Sequence, residues 1–286
     1  MKKLIMRAFA TLALAAVSTL GASAFTVDTL TVASKHNRLP EPMKVAVITP
    51  DAADLACDTC SIPVVYLLNG YGGDYTQWLR VRPDMGELAD NYGMFMVMPS
   101  GMDSWYWDSQ VDPSMQMESF ITLELVPELR ARYRAMSTDP AHNAITGLSM
   151  GGHGAMWLAM RHPDLWGSMG SNSGGVDIMP FPTKWKMAER LGPQNDNYKR
   201  WQESTVINNL DLLKQNGQNI IFDCGSEDIF HDVNADLHNK MLELKVPHTY
   251  ISRPGKHNHK YWSNSILHQL LYFDRCFAGA DKATAK

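Results

Sequence analysis

Ser149 stands in the stretch Asn143-Ala144-Ile145-Thr146-Gly147-Leu148-Ser149-Met150-Gly151-Gly152-His153-Gly154-Ala155, framed by Gly147 and Gly151 as G-x-S-x-G. A serine hydroxyl is a weak nucleophile, so it must be exposed on a tight turn with a base in reach. The pattern predicts a short strand ending at Thr146, a sharp turn, and a helix from Met150 toward Arg161, the nucleophile elbow. Small residues on both sides let strand and helix pass close together. Gly152 and Gly154 extend that clearance into the first helical turn, where free N–H groups and the helix dipole favour developing negative charge.

With such an elbow the acid and base follow in the chain order serine, carboxylate, histidine. Residues 220–228 read as a buried strand breaking into a loop with three carboxylates, Asp223, Glu227 and Asp228. Asp223 still falls in the strand and Glu227 is expected to point away. Asp228, just past the glycine turn, is best placed to hold a histidine tautomer and stabilise its imidazolium. After the next strand, Arg253-Pro254-Gly255-Lys256-His257-Asn258-His259 offers two histidines, of which His257 lies nearer the glycine turn. A metal reading of His-x-His lacks a carboxylate spaced to complete the ligand set. His231 and His238 read as surface or helix-face residues. The oxyanion needs preorganised backbone donors. Met150, the residue after the nucleophile, supplies one amide. The second is expected from Leu67-Leu68-Asn69-Gly70-Tyr71-Gly72-Gly73, with the Tyr71 amide as candidate. The rival reading of that loop, a phosphate cradle, lacks the Lys-Ser/Thr ending.

These groups require a scaffold that presents several loops at one edge. Alternation suggests edge strands at 25–32 and 43–48, and the unbroken apolar run 64–68 is typical of a strand buried on both faces. Further such runs occupy 94–98, 144–146, 167–170, 220–222 and 248–251, with helical patterns at 83–92, 117–133, 150–161, 232–245 and 261–277. Strand alternating with helix predicts an α/β fold, a mostly parallel sheet covered by helices on both faces. Residues 174–210, rich in Pro, Asn and Trp, read as an insertion over the carboxyl edge, where such sheets bind ligands. The Ala/Lys-rich tail after Gly279 reads as disordered.

Lys2, Lys3 and Arg7 precede an apolar run from Ala8 to Leu20 closed by Ala22-Ser23-Ala24, the pattern of a cleaved signal peptide over 1–24. That run is short for a membrane span and no second one follows, so membrane insertion is not expected. Residues 25–286 then form one domain with 23 basic against 30 acidic side chains, a formal charge of −7. No basic cluster appears, which argues against nucleic acid as a partner. Cys57 and Cys60, in a loop before a strand, read as a local disulfide. A zinc site would want a second such pair. Cys224 reads as a small buried hydrophobe at a strand end, and Cys276 falls in the last helix.

The chain resembles the esterase D family of α/β-hydrolases, which includes S-formylglutathione hydrolases, tributyrin esterases, feruloyl esterases and the antigen 85 mycolyltransferases. The motifs that carry the resemblance are Leu67-Leu68-Asn69-Gly70 with Trp78, Gly147-Leu148-Ser149-Met150-Gly151-Gly152, Cys224-Gly225-Ser226-Glu227-Asp228, and Gly255-Lys256-His257 with Tyr261-Trp262. They extend from about Ser34 to Phe273. The resemblance implies an α/β-hydrolase fold with Ser149 as nucleophile, Asp228 as acid and His257 as base, and the Tyr71 and Met150 amides as the oxyanion hole. The chain departs at Asn69, where many members carry histidine before the glycine, a change that bears on the loop's internal hydrogen bonding and not on its backbone donors.

Aromatic residues crowd the expected cleft: Tyr71, Trp78, Trp105, Tyr106, Trp107, Trp185, Trp201 and Trp262. Core or lid packing accounts for most, while Trp78, Trp105 and Trp185 are the candidates for substrate contact. Glu118, at a helix start, reads as a capping or structural residue. The expectation is an exported serine carboxylesterase acting on small acyl esters or on ester-decorated carbohydrate, feruloyl or acetyl, with no metal or organic cofactor. An acyltransferase or a thioesterase would use the same residues. From another class, a glycan-binding module on a silent hydrolase scaffold would fail to react with a fluorophosphonate.

Overall fold

The computed structural model describes residues 25–35, 42–51 and 61–284. The expected leader at 1–24 and the expected Cys57–Cys60 disulfide lie outside the described residues. Among the described residues eight strands form one sheet: β1 Thr26–Val32, β2 Met43–Thr49, β3 Val64–Leu68, β4 Phe95–Pro99, β5 Asn143–Gly147, β6 Ser168–Asn172, β7 Asn219–Gly225 and β8 Thr249–Arg253. Their order is β1-β2-β4-β3-β5-β6-β7-β8. β2 runs antiparallel to both β1 and β4, and β3 to β8 are all parallel. This is the α/β-hydrolase architecture. The helices are α1 Gln77–Val81, α2 Met85–Tyr92, α3 Met117–Ser119, α4 Val126–Arg132, α5 Met150–Arg161, α6 Met187–Leu191, α7 Tyr198–Glu203, α8 Leu213–Asn216, α9 His231–Glu243 and α10 His259–Thr284.

The two-residue period of a strand sends neighbouring side chains to opposite faces, so β3 divides its apolar run between two cores. Val64, Tyr66 and Leu68 join the face covered by α5, while Val65 and Leu67 join the face covered by α2 and α10. After β3 the chain places β4 on one side and β5 on the other. The loops leaving the carboxyl ends of β3 and β5 therefore part company, and the crevice between them is the topological switch point. Leu68 and Gly147 end these two strands and pair in register.

Several local expectations change. α1 was not anticipated, and the expected insertion at 174–210 contains the short helices α6 and α7. The tail read as disordered instead continues α10 to Thr284. Residues 117–132 are helical as expected, but Phe120–Leu125 is a π-helical stretch between α3 and α4. Pro127 explains it: the ring cannot donate to the Leu123 carbonyl and would clash with it in an α-helix, and a wider turn relieves both.

Candidate active site

Ser149 sits between β5 and α5 with φ +56° and ψ −117°, a conformation that side chains rarely adopt. The elbow survives because its neighbours lack side chains. A Cβ on Gly151 would lie 2.4 Å from the Leu68 carbonyl oxygen and 2.6 Å from that of Asn69. A Cβ on Gly70 would lie 3.4 Å from Ser149 Cβ, so the loop after β3 passes directly beside the serine. Of the eight non-glycine residues with positive φ among the described residues, seven belong to loops at this carboxyl edge: Met102, Trp105, Tyr106, Ser149, Ser173, Trp185 and Lys186. Such conformations cost roughly 1–3 kcal/mol each and persist where packing enforces them, typically at functional sites.

Ser149 Oγ lies 2.9 Å from His257 Nε2. His257 Nδ1 lies 3.0 Å from both Oδ1 and Oδ2 of Asp228. A carboxylate only accepts, so Nδ1 carries the proton and donates, leaving Nε2 to accept from the serine hydroxyl. The Asp228 side chain is fully buried while His257 is one-fifth exposed. Asp228 Oδ1 also accepts the Phe230 amide at 2.9 Å, which fixes the carboxylate. The loops after β7 and β8 are tied together where the Ser226 amide donates to the Arg253 carbonyl and the Glu227 amide to that of Gly255. The imidazole is then held edge-on against Phe230, at 5.2 Å, and Trp262, at 4.9 Å.

The competing residues lie elsewhere. Asp223 is buried in β7 and accepts from Gln269 at 2.7 Å, with its carboxyl pushed upward by burial. Glu227 pairs with Lys256 at the surface, 3.5 Å away. His259 is exposed at the start of α10, beside Trp262. His238 is bonded to His248 at 2.7 Å. Glu118 has the structural role read for it: its buried carboxylate accepts from Trp157 at 2.9 Å, Arg161 at 2.8 Å and His162 at 2.8 Å.

Neither the Tyr71 nor the Met150 amide donates to another group among the described residues. The loop carrying Tyr71 is held by Asn69 and Gln77. Asn69 Nδ2 donates to the Gly70 carbonyl at 2.8 Å, and its Oδ1 accepts the Gly101 amide at 2.7 Å and the Tyr106 hydroxyl at 3.2 Å. Gln77 Oε1 accepts the Gly70 amide at 2.7 Å. Asn69 thus supplies the hydrogen bonding that its departure from the family pattern left open.

Two tryptophans expected to touch substrate do not. Trp78 is 1% exposed, packed among α2 and α10 residues, and its Nε1 donates to the Leu68 carbonyl. Trp105 is also 1% exposed, stacked on Trp107, with its Nε1 donating to the Trp185 carbonyl. Both rings are enclosed by core neighbours, so neither offers a face to a ligand. Trp185 and Phe181 are half-buried and 5.4 Å apart, and they form an aromatic wall backed by Phe230, itself 1% exposed, which lies 5.2 Å from Trp185 and reaches His257. The sequence reading missed Phe181 and Phe230, although Phe230 lies only two residues past Asp228.

An esterase family model ("Putative esterase") matches residues 36–273. The chain is 30% identical over 251 residues to the diacylglycerol acyltransferase/mycolyltransferase Ag85B of Mycobacterium leprae, covering 71% of this chain and 73% of that protein. It is 38% identical over 113 residues to the MPT51/MPB51 antigen of Mycobacterium tuberculosis, a match that takes in 38% of this chain and only 36% of the antigen. The structure of a ferulic acid esterase superposes with a TM-score of 0.73 at 24% identity, covering 89% of this chain and 99% of that one. The matched segment runs through all eight parallel and antiparallel strands but β1, and contains the elbow, the β7 loop and the β8 loop. This chain belongs to the esterase family, on the α/β-hydrolase fold.

Proposed function

We propose that the protein is an exported serine ester hydrolase in which Ser149, His257 and Asp228 act as a catalytic triad. The observation that carries this reading is the continuous path from Ser149 Oγ to His257 Nε2 to the buried Asp228 carboxylate, at 2.9 and 3.0 Å. Ser149 Oγ attacks the ester carbonyl carbon as its proton passes to His257 Nε2. The oxyanion is received by the Tyr71 and Met150 amides, the second at the N-terminus of α5. As the C–O bond breaks, His257 returns the proton to the departing alcohol. Water then attacks the acyl-enzyme with its proton going to His257, and Ser149 leaves protonated beside the free acid. The half-buried rings of Phe181 and Trp185, backed by the buried Phe230, favour a flat aromatic acyl group, as in feruloyl esters of carbohydrate. A leader over residues 1–24, cleaved on export, would deliver the domain to the periplasm or the exterior.

The similarity to a protein described as an acyltransferase/mycolyltransferase supports a second reading, in which an alcohol replaces water in the second half-reaction. Product analysis with an added alcohol separates the two. The reaction itself is tested by a series of p-nitrophenyl acyl esters with methyl ferulate, together with fluorophosphonate labelling. Ser149→Ala should abolish both hydrolysis and labelling, since removing a nucleophile costs several orders of magnitude. A folded Ala variant keeping more than about a tenth of wild-type turnover would move the nucleophile elsewhere.

A further inference from the structure

Arg190, in α6, is 6% exposed and carries a guanidinium that must be neutralised where it lies. Its Nη2 meets Asp103 Oδ1 at 2.7 Å and its Nη1 meets Asp112 Oδ2 at 2.8 Å. Both carboxylates belong to the segment between β4 and α3, whereas Arg190 belongs to the 174–210 insertion. The same two segments are joined where Ser109 Oγ donates to the Arg190 carbonyl at 2.9 Å and Trp105 Nε1 donates to that of Trp185 at 3.1 Å. Lys186 Nζ adds a rim contact to Asp103 Oδ2 at 3.2 Å. Burial alone would raise the Asp103 carboxyl, and its bonds to Arg190 and Lys186 hold it below the usual range instead.

Each segment ends in the candidate site. The Met102 carbonyl, one residue before Asp103, accepts the Gly72 amide at 3.3 Å and so buttresses the loop carrying Tyr71. Trp185 and Phe181 form the aromatic wall with Phe230. The insertion begins at the nucleophile itself, because the Gly175 amide donates to the Ser149 carbonyl at 3.3 Å. His257, 2.9 Å from Ser149 Oγ, meets the Phe230 ring at 5.2 Å, and Phe230 in turn backs Trp185, so the wall adjoins the triad on the side of the histidine. The far end of the insertion is anchored independently, by His153 Nε2 on the Ser204 carbonyl at 3.1 Å. Loss of the Arg190 contacts would free the Trp185 end without detaching the rest.

We infer that Arg190, gripped by Asp103 and Asp112, is a positioning residue that sets the selectivity of the site for a bulky aromatic acyl group over a small one. The inference rests on the ester-hydrolase reading. A planar guanidinium reaches two carboxylates at fixed angles, and an ammonium is a single flexible point charge, so lysine restores the charge without the fork.

The test uses the full-length protein and two esters with one leaving group, p-nitrophenyl acetate and p-nitrophenyl ferulate. Wild-type turnover of the acetate tests the hydrolase reading by itself, independently of Arg190. For Arg190→Met, the ferulate-to-acetate ratio of kcat/KM should fall about tenfold, chiefly through a higher KM for the ferulate, a step of about one decade in selectivity. Acetate turnover should stay within about threefold, and Arg190→Lys should fall between. Asp112→Asn, on the more exposed arm of the grip, should lower the ratio in the same direction, and combining it with Arg190→Met should add little. Should Arg190→Met fail to fold, Asp112→Asn and Arg190→Lys carry the test. A ratio unchanged within twofold in the folded variants, or an equal loss on both esters, overturns the inference.

Discussion

His153 lies one helical turn beyond Ser149 and is completely buried. Its ring is enclosed by Trp107 at 5.1 Å, Trp105 at 5.4 Å and Trp157 at 6.2 Å, and Nε2–H donates to the Ser204 carbonyl at 3.1 Å. Burial outweighs the help that the Ser204 carbonyl gives an imidazolium and depresses the pKa from 6.5 to about 4. In the unfolded chain the same imidazole takes up a proton near pH 6.5. Between those values the unfolded state binds more protons, and folding stability falls as pH falls. Integrating a single proton between these limits gives a loss of about 2 kcal/mol from pH 7 to pH 5. For a domain of this size that lowers the melting temperature by about 4–8 °C. Carboxylates held low, such as Asp103, titrate in the same direction, so the measurement is a difference. His153→Gln can still donate to Ser204 and has no proton to take up. Calorimetric melting of both proteins at pH 7 and pH 5 should show the wild type losing about 4–8 °C more than the variant. Parallel losses, equal within about 1 °C, would refute the idea that this imidazole is held neutral by its burial.

His257→Ala should lose nearly as much ester hydrolysis as Ser149→Ala, with the double variant little worse, because residues acting as a unit are non-additive. His259→Ala, exposed at the start of α10, should change turnover by less than about tenfold, and kinetics of the two single variants decide between them. Gly151→Ala drives a Cβ to 2.4 Å from the Leu68 carbonyl oxygen, backbone that cannot swing away. It should cut turnover by at least about a hundredfold and lower the melting temperature, while full activity in a stable variant would mean the elbow has slack. Intact-mass measurement of the protein recovered from its native compartment should give an N-terminus at Phe25; a chain still beginning at Met1 would remove the export proposal.

Much of this protein was legible in its sequence because the relevant constraints are local. A strand, a turn and a helix packed within van der Waals reach of a neighbouring strand require missing side chains at fixed spacing, and Gly147 and Gly151 record that requirement. The continuous apolar run of β3 likewise records burial on both faces, so the parallel sheet could be read before its strand order. The spacing of Asp228 past a glycine turn and of His257 past Gly255 marked two loops, but three carboxylates and two histidines stood in them. Only the packing of those loops brings Asp228 and His257 together with Ser149 while Asp223, Glu227 and His259 face other neighbours. Trp78, Trp105 and Trp185 are equivalent as letters, yet two are sealed in cores and one borders the cleft. Arg190 finds Asp103 and Asp112 across 87 and 78 residues of chain. Steric clearance and alternation are properties of consecutive residues and are written there; exposure, and the pairing of charges from distant segments, depend on what the rest of the chain lays over them.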